Sequence, residues 1–417
     1  MRLKLTTLVA LLYPFLVQVK AINQRFPYGS QKIRGVNLGG WLLLEPWITP
    51  SVFQATGNDA IVDEFTFGQL QDRGTAEAAL RRHWDSFITE GDFGAIRGAG
   101  LNHVRIPIGY WAFQPDAPFI TGALPYLDRA VGWARNNGLK VIVDLHGAPG
   151  SQNGFDNSGQ RTNNPQWLNG DNIARTNAIV KQIAQRYEDD VNTVSAIAAL
   201  NEPTGFRGQN WVDAIRQFGY DAYGSIRFPN GNSQPSDFAV ILSDGFEPLS
   251  TWSNFLPPPQ YQSVLLDKHV YQVFSEAELG KSQDGFISEA CSLAGQLTSS
   301  PLDVVVGEWT LASTDCAYWL NARGRGARYE GRYDGSRYIG SCNGKTGGNG
   351  ASTFSQDYKN FLRRFYEAQT TTFEKGAGWI FWTWKAEQAD DWSYQAGLNG
   401  GWIPRYPTNR AYPGVCG

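Results

Sequence analysis

Short apolar runs with the composition of buried strands recur eight times along the chain, at residues 33–37, 103–108, 140–145, 194–200, 238–242, 264–274, 304–308 and 378–384. Segments with a helical spacing of apolar residues separate most of them, at 75–91, 127–137, 171–187, 211–226, 286–297 and 355–370. A strand buried on both faces reads as a continuous apolar run, and successive parallel strands need a crossover, usually a helix. Eight such units are best satisfied by closure, which leaves no sheet edge exposed. The expected fold is therefore α/β: a single-domain (β/α)8 TIM barrel with long βα loops.

At 417 residues the chain could hold two or three average domains, yet barrels with insertions reach this length as one unit. No Pro/Ser-rich linker or internal repeat divides it. An apolar fraction of 42% supports a large core, and a net charge of −3 gives no electrostatic basis for binding nucleic acid or an acidic membrane. Fifteen Trp and 18 Tyr supply amphipathic rings that can stack on sugar faces, although many must also fill the core.

Arg2 and Lys4, the apolar run 8–17 and the small residue Ala21 follow the order of a secretory leader. The run is too short for a membrane anchor, and no C-terminal apolar tail suggests a lipid anchor. The expected division is a leader at 1–21 and a folded domain at 22–417, in a protein that is secreted, extracellular or wall-associated. Cys291, Cys316, Cys342 and Cys416 lack metal-ligand spacing, and with four His in the chain a zinc site has little support. In an exported chain they suggest two disulfides, with three pairings open. Bonding Cys416 to Cys291 or another core-proximal cysteine would tie down a terminus that otherwise frays. No Asn-x-Ser/Thr glycosylation sequon occurs.

Glu202, in AALNEP, and Glu308, in VVVGEWT, each follow one of the apolar runs. Two carboxylates at the same ends of separate strands are what a barrel needs to flank a glycosidic bond with an acid and a nucleophile. A lone Glu at a strand end is ordinarily a surface residue. Here Asn201 precedes one and Trp309 follows the other, both residue types suited to a sugar site. The remaining strand ends run into NLGGWLLLEPW, RIPIGYW, DLHGAPGSQNGFDNSG, DKHVYQVF and FWTWK. Nearly every one brings a hydrogen-bonding group for hydroxyls and an aromatic for the C–H face of a sugar ring.

In this order, RGVNLGGWL, HVRIPIGYW, DLHGAPGSQNGFDNSG, LNEP, HVYQVF and GEWT resemble glycoside hydrolase family 5, and within it the fungal exo-β-1,3-glucanases. The resemblance runs from residue 34 to beyond residue 384. It implies a retaining glucan 1,3-β-glucosidase that frees glucose from non-reducing chain ends, with glycosyl transfer as a side reaction. Glu202 is implied as general acid/base and Glu308 as nucleophile. An acid that keeps its proton should have a raised pKa, so Glu202 is expected above the ordinary range. Arg105 is expected to keep Glu308 ionised and oriented, its blander role being a buried structural ion pair. In the resembling enzymes Asn201 bonds the 2-hydroxyl of the transferred glucose and Tyr271 touches the nucleophile. His146 and His269 line the same subsite, though either alone could be a satisfied core group. Trp384 is implied as the floor under that glucose, with Trp382 as the alternative two positions back on the same side of the strand. Glu45 and Asp156 are implied to grip the distal hydroxyls and block a longer chain, and Phe155 and Phe274 to clamp the entrance. An Asx turn is the bland role for Asp156.

Residues 321–351 are rich in Gly, Arg and Tyr, and ARGRGARYEGRYDG has the look of an RNA-binding segment. Its arginines are few, the chain is mildly acidic, and export removes RNA as a partner. The stretch is expected instead as a long loop after the seventh strand, closed by a Cys316–Cys342 disulfide and leaving Cys291 with Cys416. Such a bridge restricts the unfolded chain by roughly 3–4 kcal/mol. The implied partner is a laminarin-like β-1,3-glucan met by a monomer. No cofactor is implied, because two carboxylates complete the chemistry. Endo-β-1,3-glucanases, β-1,6-glucanases and transglycosylases would share the glutamate pair and differ around Glu45 and Asp156. A non-catalytic wall protein would be free to lose Glu202, Glu308 or Arg105, and all three are present.

Overall fold

The computed structural model describes residues 21–231, 234–347 and 354–417. Residues 1–20 of the expected leader, and 348–351 of the Gly-rich stretch, lie outside the described residues. Eight parallel strands close into a barrel in sequence order. They are β1 (Ile33–Asn37), β2 (His103–Gly109), β3 (Lys140–Gly147), β4 (Val194–Ala198), β5 (Ala239–Ser243), β6 (Val264–Val270), β7 (Asp303–Trp309) and β8 (Gly378–Phe381). All eight apolar runs are strands. Three of them stop pairing early, at Ala198, Val270 and Phe381, where the chain leaves the ladder to deliver loop residues to the barrel mouth.

Helices Leu124–Asn136, Asn172–Tyr187, Gln209–Arg227 and Gln356–Phe373 cover the barrel close to their expected positions. The segment expected as one helix at 75–91 is two, Arg73–Ser86 and Glu90–Gly98. A capping box at Thr89, whose amide donates to Asp92 at 2.9 Å, starts the second. The 286–297 segment is likewise split, into Gln283–Ser292 and Ala294–Thr298. Between β5 and β6 the crossover carries only a short 3-10 turn, Leu249–Trp252, among the described residues.

Strand alternation sorts the side chains into two cores. Ile33, Ile142, Ala196, Ala198, Ile241, Leu265, Val305 and Ile380 cluster inside the barrel. Val104, Ile106, Val141, Val143, Ile197, Val240, Leu266, Val304 and Val306 face out against the helices. The inner cluster is sealed from below by Phe26, packed edge-on against His103 at 4.5 Å, and by Tyr28, whose hydroxyl donates to Ser195 at 2.7 Å.

One break in the alternation matters for everything above it. Pairing between β6 and β7 shifts by a residue: Lys268 faces Val306, but His269 faces Glu308. Gly307 is the extra residue, and a Cβ there would lie 2.0 Å from Asp267 Oδ1, so only glycine fits. Unbroken alternation would put Glu308 outside with Val306 and Trp309 inside with Val305. The bulge reverses this. Trp309 is therefore not a sugar-site residue; its ring is fully buried among Tyr366, Phe373, Trp379 and Phe381, between barrel and helix.

Both disulfides form: Cys291–Cys416 ties the C-terminal segment to helix Gln283–Ser292, and Cys316–Cys342 closes the loop after β7. Truncating the core residue Trp309 to Ala should destabilise the fold by about 3–5 kcal/mol, the usual cost of emptying a large aromatic site. Urea unfolding checks this; an unchanged midpoint would contradict its placement in the outer core.

Candidate active site

The C-terminal ends of the strands open into a pocket of about 640 Å³. Its base is built from polar residues that interrupt the inner apolar layers. Asn37 on β1, Arg105 on β2, Asp144 on β3, Asp267 on β6 and Glu308 on β7 are all buried. The Arg105 guanidinium joins them. Nη1 donates to Asn37 Oδ1 at 2.9 Å and Glu308 Oε1 at 3.0 Å, and Nη2 donates to Asn201 Oδ1 at 2.8 Å. Asp144 and Asp267 flank Nη2 at 3.2 and 3.6 Å. Burial works against the charge, but these carboxylates hold the Arg105 pKa above its ordinary value.

The second Glu308 oxygen accepts from Tyr271 Oη at 2.8 Å and lies 3.4 Å from His269 Nδ1. Glu202 follows β4 with φ at 46°, in the left-handed region that non-glycine residues enter at a cost of about 1–3 kcal/mol. Neighbouring contacts fix that turn: Asn201 N donates to Leu145 O at 2.9 Å, and Gln152 Nε2 donates to Asn201 O at 2.9 Å. So positioned, the Glu202 carboxylate pairs with His269 Nδ1 at 2.8 Å and accepts from Asn157 Nδ2 at 2.8 Å.

Ligand-type atoms of Glu202, His269 and Glu308 lie within 4.8 Å of one another, the single such triplet of potential metal ligands among the described residues. These atoms already pair with one another and with Arg105, Tyr271 and Asn157. One oxygen of Glu202 thus lies within 4.8 Å of one oxygen of Glu308, close enough for the two carboxylates to flank a single bond.

Protonation in the free site differs from the sequence expectation. Burial acts to raise Glu202, yet the bonds from His269 and Asn157 prevail and hold it below the ordinary range. Glu308 is raised, by burial first and then by Glu202, against the pull of His269 and Arg105. Burial would lower His269, but Glu308, Asp267 and Glu202 around it raise its pKa well above the usual imidazole value. The imidazolium thus keeps a proton one hydrogen bond from Glu202. Tyr271, raised by burial and then by Glu308, stays a phenol and a donor.

His146 sits one layer below. Its Nδ1 bonds Asp144 at 2.6 Å, which leaves Nε2 to accept from Asn201 Nδ2 at 3.3 Å. The ring stacks on Trp382 at 5.5 Å and 9°, and it is fully buried under that indole. Trp382, two positions beyond the inward-facing Ile380, lines the pocket. Trp384 does not. The strand ends at Phe381, and beyond it the chain turns so that the Trp384 indole donates outward to Asp92 at 2.8 Å and stacks near Tyr394. Trp382 is therefore the one of the two that lines the pocket, and Trp384 belongs to the outer core.

Glu45 and Asp156 both line the pocket. Glu45 accepts from Trp47 Nε1 at 3.0 Å, and its other oxygen is buried without a partner, as is Asp156 Oδ2. Burial, then Asp156 and Glu308, push the Glu45 pKa well up; burial, then Asp63, raise Asp156 to about 6. Exposure rises from 4% at Glu45 to 37% at Phe155 and 44% at Phe274, which marks the blind base and the mouth. Phe246 and Phe206 extend the aromatic lip from Phe155, with centroid steps of 6.4 and 5.6 Å. Leu320, Ala322 and Tyr333 of the disulfide-closed loop supply one wall. That loop is pinned by Asp315, which accepts from the amides of Arg328 and Tyr329 at 2.7 and 3.0 Å.

Asn37, Asp144, Asp267, Asn157, Phe246 and Trp392 are additions to the expected set. The first three leave a signal, a polar residue on the inward phase of an apolar strand; the others sit on loops with no periodicity to expose them.

A closed barrel bearing a close carboxylate pair at its C-terminal mouth defines a barrel-type glycoside hydrolase. The cellulase model of glycosyl hydrolase family 5 matches residues 69–326, and the chain belongs to that family. It is 47% identical over 404 residues to probable glucan 1,3-beta-glucosidase A of Aspergillus niger, covering 96% of this chain and 94% of that protein. It is 44% identical over 399 residues to glucan 1,3-beta-glucosidase of Blumeria graminis, covering 94% and 91%. Among solved structures, rutinosidase from Aspergillus niger superposes with a TM-score of 0.70 at 16% identity, over 92% of this chain and 100% of that one, a likeness of fold.

The two tryptophans should separate cleanly. Trp382→Ala should lower kcat/KM about 10- to 100-fold with little change in Tm, whereas Trp384→Ala should lower Tm by several degrees. The reverse pattern in paired kinetics and thermal melts would reverse that placement. Asp156 supplies a pH test. Its folded pKa lies above that of the unfolded chain, so the native state binds the extra proton and stability falls as pH rises from about 4 through about 6. Asp156→Asn should match wild-type Tm near about pH 3 and exceed it above about pH 6.5. A constant Tm difference across that range would show that the carboxyl is not held neutral.

Proposed function

We propose that the protein is a retaining exo-β-1,3-glucanase that removes glucose from the non-reducing ends of β-1,3-glucan. One observation carries the reading: the Glu202–Glu308 pair sits in a pocket that is blind on the side of Glu45 and Asp156 and open on the side of the exposed phenylalanines. A terminal glucose fits the blind side, where the unpartnered oxygens of Glu45 and Asp156 take its distal hydroxyls. A continuing chain would have to displace them.

In this reading Glu308 attacks the anomeric carbon, and its developing ester is oriented by Arg105 and Tyr271. Glu202 protonates the departing oxygen, its proton drawn from His269 through their 2.8 Å hydrogen bond as the glucan excludes water. Asn201, locked between Arg105 and His146, is set to bond the 2-hydroxyl as the ring flattens. Water then enters against Glu202, now a base, and releases β-glucose; a sugar hydroxyl in its place gives transfer. The leader-like order of charged, apolar and small residues at 1–21 and the two disulfides support export to an oxidising compartment.

Laminarin digests should release glucose alone from the earliest time points, with the β anomer formed first by NMR; early oligosaccharides would indicate endo action, and an α anomer would exclude double displacement. Glu308→Gln should trap no glycosyl-enzyme on any substrate by mass spectrometry. Glu202→Ala should lose on the order of 10²–10⁴-fold on laminarin but glycosylate readily from a dinitrophenyl glucoside, with azide restoring turnover as β-glucosyl azide.

A further inference from the structure

The walls of the pocket are charged in layers. Its base holds Glu45, Asp156, Glu202 and Glu308, whereas Arg161, Arg207, Arg325 and Arg328 also line it. A neutral glucan makes no demand for net positive charge. Arg328 is accounted for by Asp315 at 3.5 Å. Arg161 bonds Arg323 O at 3.3 Å and is partly balanced by Asp156 and Asp63, both of which it stabilises as anions.

Arg207 and Arg325 are different. Each is exposed, and neither forms an ion pair within 4.0 Å among the described residues. Arg207 is fixed by neutral partners: Nε donates to Thr204 Oγ1 at 3.0 Å and Nη2 to Asn153 O at 2.9 Å, with the guanidinium 5.9 Å from the Trp211 ring. Arg325 donates to Tyr333 Oη at 3.3 Å and reaches from the disulfide-closed loop. Glu278, the acid of the lip, is spent on the amides of Phe274 and Ser275 at 3.0 and 2.9 Å. Two oriented and uncompensated cations thus stand at the mouth, above an acidic base.

The geometry points to a selectivity for β-glucan chains that carry an anionic group on the leaving side, a carboxylate such as an oxidised reducing end. Such a chain enters with its neutral non-reducing terminus first, because Arg207 and Arg325 hold the charged end at the mouth. The inference rests on the exo-glucanase reading and adds a charge preference to it.

Laminaritetraose oxidised to the aldonate and reduced to the alditol differ in charge but share an opened terminal ring. At about 10 mM salt, where screening extends to about 30 Å, the aldonate should show a kcat/KM roughly two- to five-fold above the alditol. At about 1 M salt the ratio should fall to one. Arg207→Gln and Arg325→Gln, tested singly and together, should each reduce the low-salt ratio, and the wild-type salt titration stands even if a variant fails to fold. A ratio of one at low salt with the alditol cleaved normally overturns the charge preference and leaves the glucanase reading intact. Cleavage of neither substrate overturns the glucanase reading.

Discussion

One guanidinium organises the mouth of this barrel. Arg105 rises from β2 and binds groups carried by β1, β3, β6 and β7 and by the segment after β4, so five separate parts of the chain meet at one planar cation. Burying it costs several kcal/mol in desolvation, an expense that only well-aligned carboxylates offset. Its Nε has no partner, so the arrangement is not the most stable that could be built there. What it provides is position. The nucleophile candidate Glu308 and its neighbour Asn201 are bonded by opposite nitrogens of a rigid fork, so neither can move without disturbing the other.

The architecture was legible because its signals are periodic. All eight apolar runs became strands, and their polar exits converge because a parallel barrel presents every C-terminal strand end to one face. Failures came where periodicity was broken. Trp309 looked like a site residue because nothing in VVVGEWT announces that Gly307 is an extra residue that inverts the phase. Trp384 looked like the sugar floor because FWTWK offers two tryptophans of equal parity, and parity has no meaning once pairing ends at Phe381. The proton of Glu202 is hidden for another reason. Its neighbours in sequence imply only a desolvated carboxyl, but its protonation is governed by His269, which is distant in sequence and arrives through the fold.

The pocket illustrates a division of labour between scaffold and loops. Chemistry sits on strand ends and on the tight turn after β4, where backbone pairing limits movement. Shape and access are left to loops, held by devices that do not touch the reacting centre: the Asp315 bonds to Arg328 and Tyr329, and the Cys316–Cys342 bridge. Specificity could then be altered by changing a loop wall without disturbing the Arg105 cluster.

The segment that plugs the bottom of the barrel has an orientational consequence. Phe26 and Tyr28 contact the beginnings of β2 and β4, and Asn23 and Arg25 bond Asp237, just ahead of β5. The start of the folded domain is thereby stitched to the face opposite the pocket. Anything joined there, whether a linker, a partner domain or a solid support, would leave the mouth of the pocket pointing away from its point of attachment, free to meet an insoluble polymer head-on.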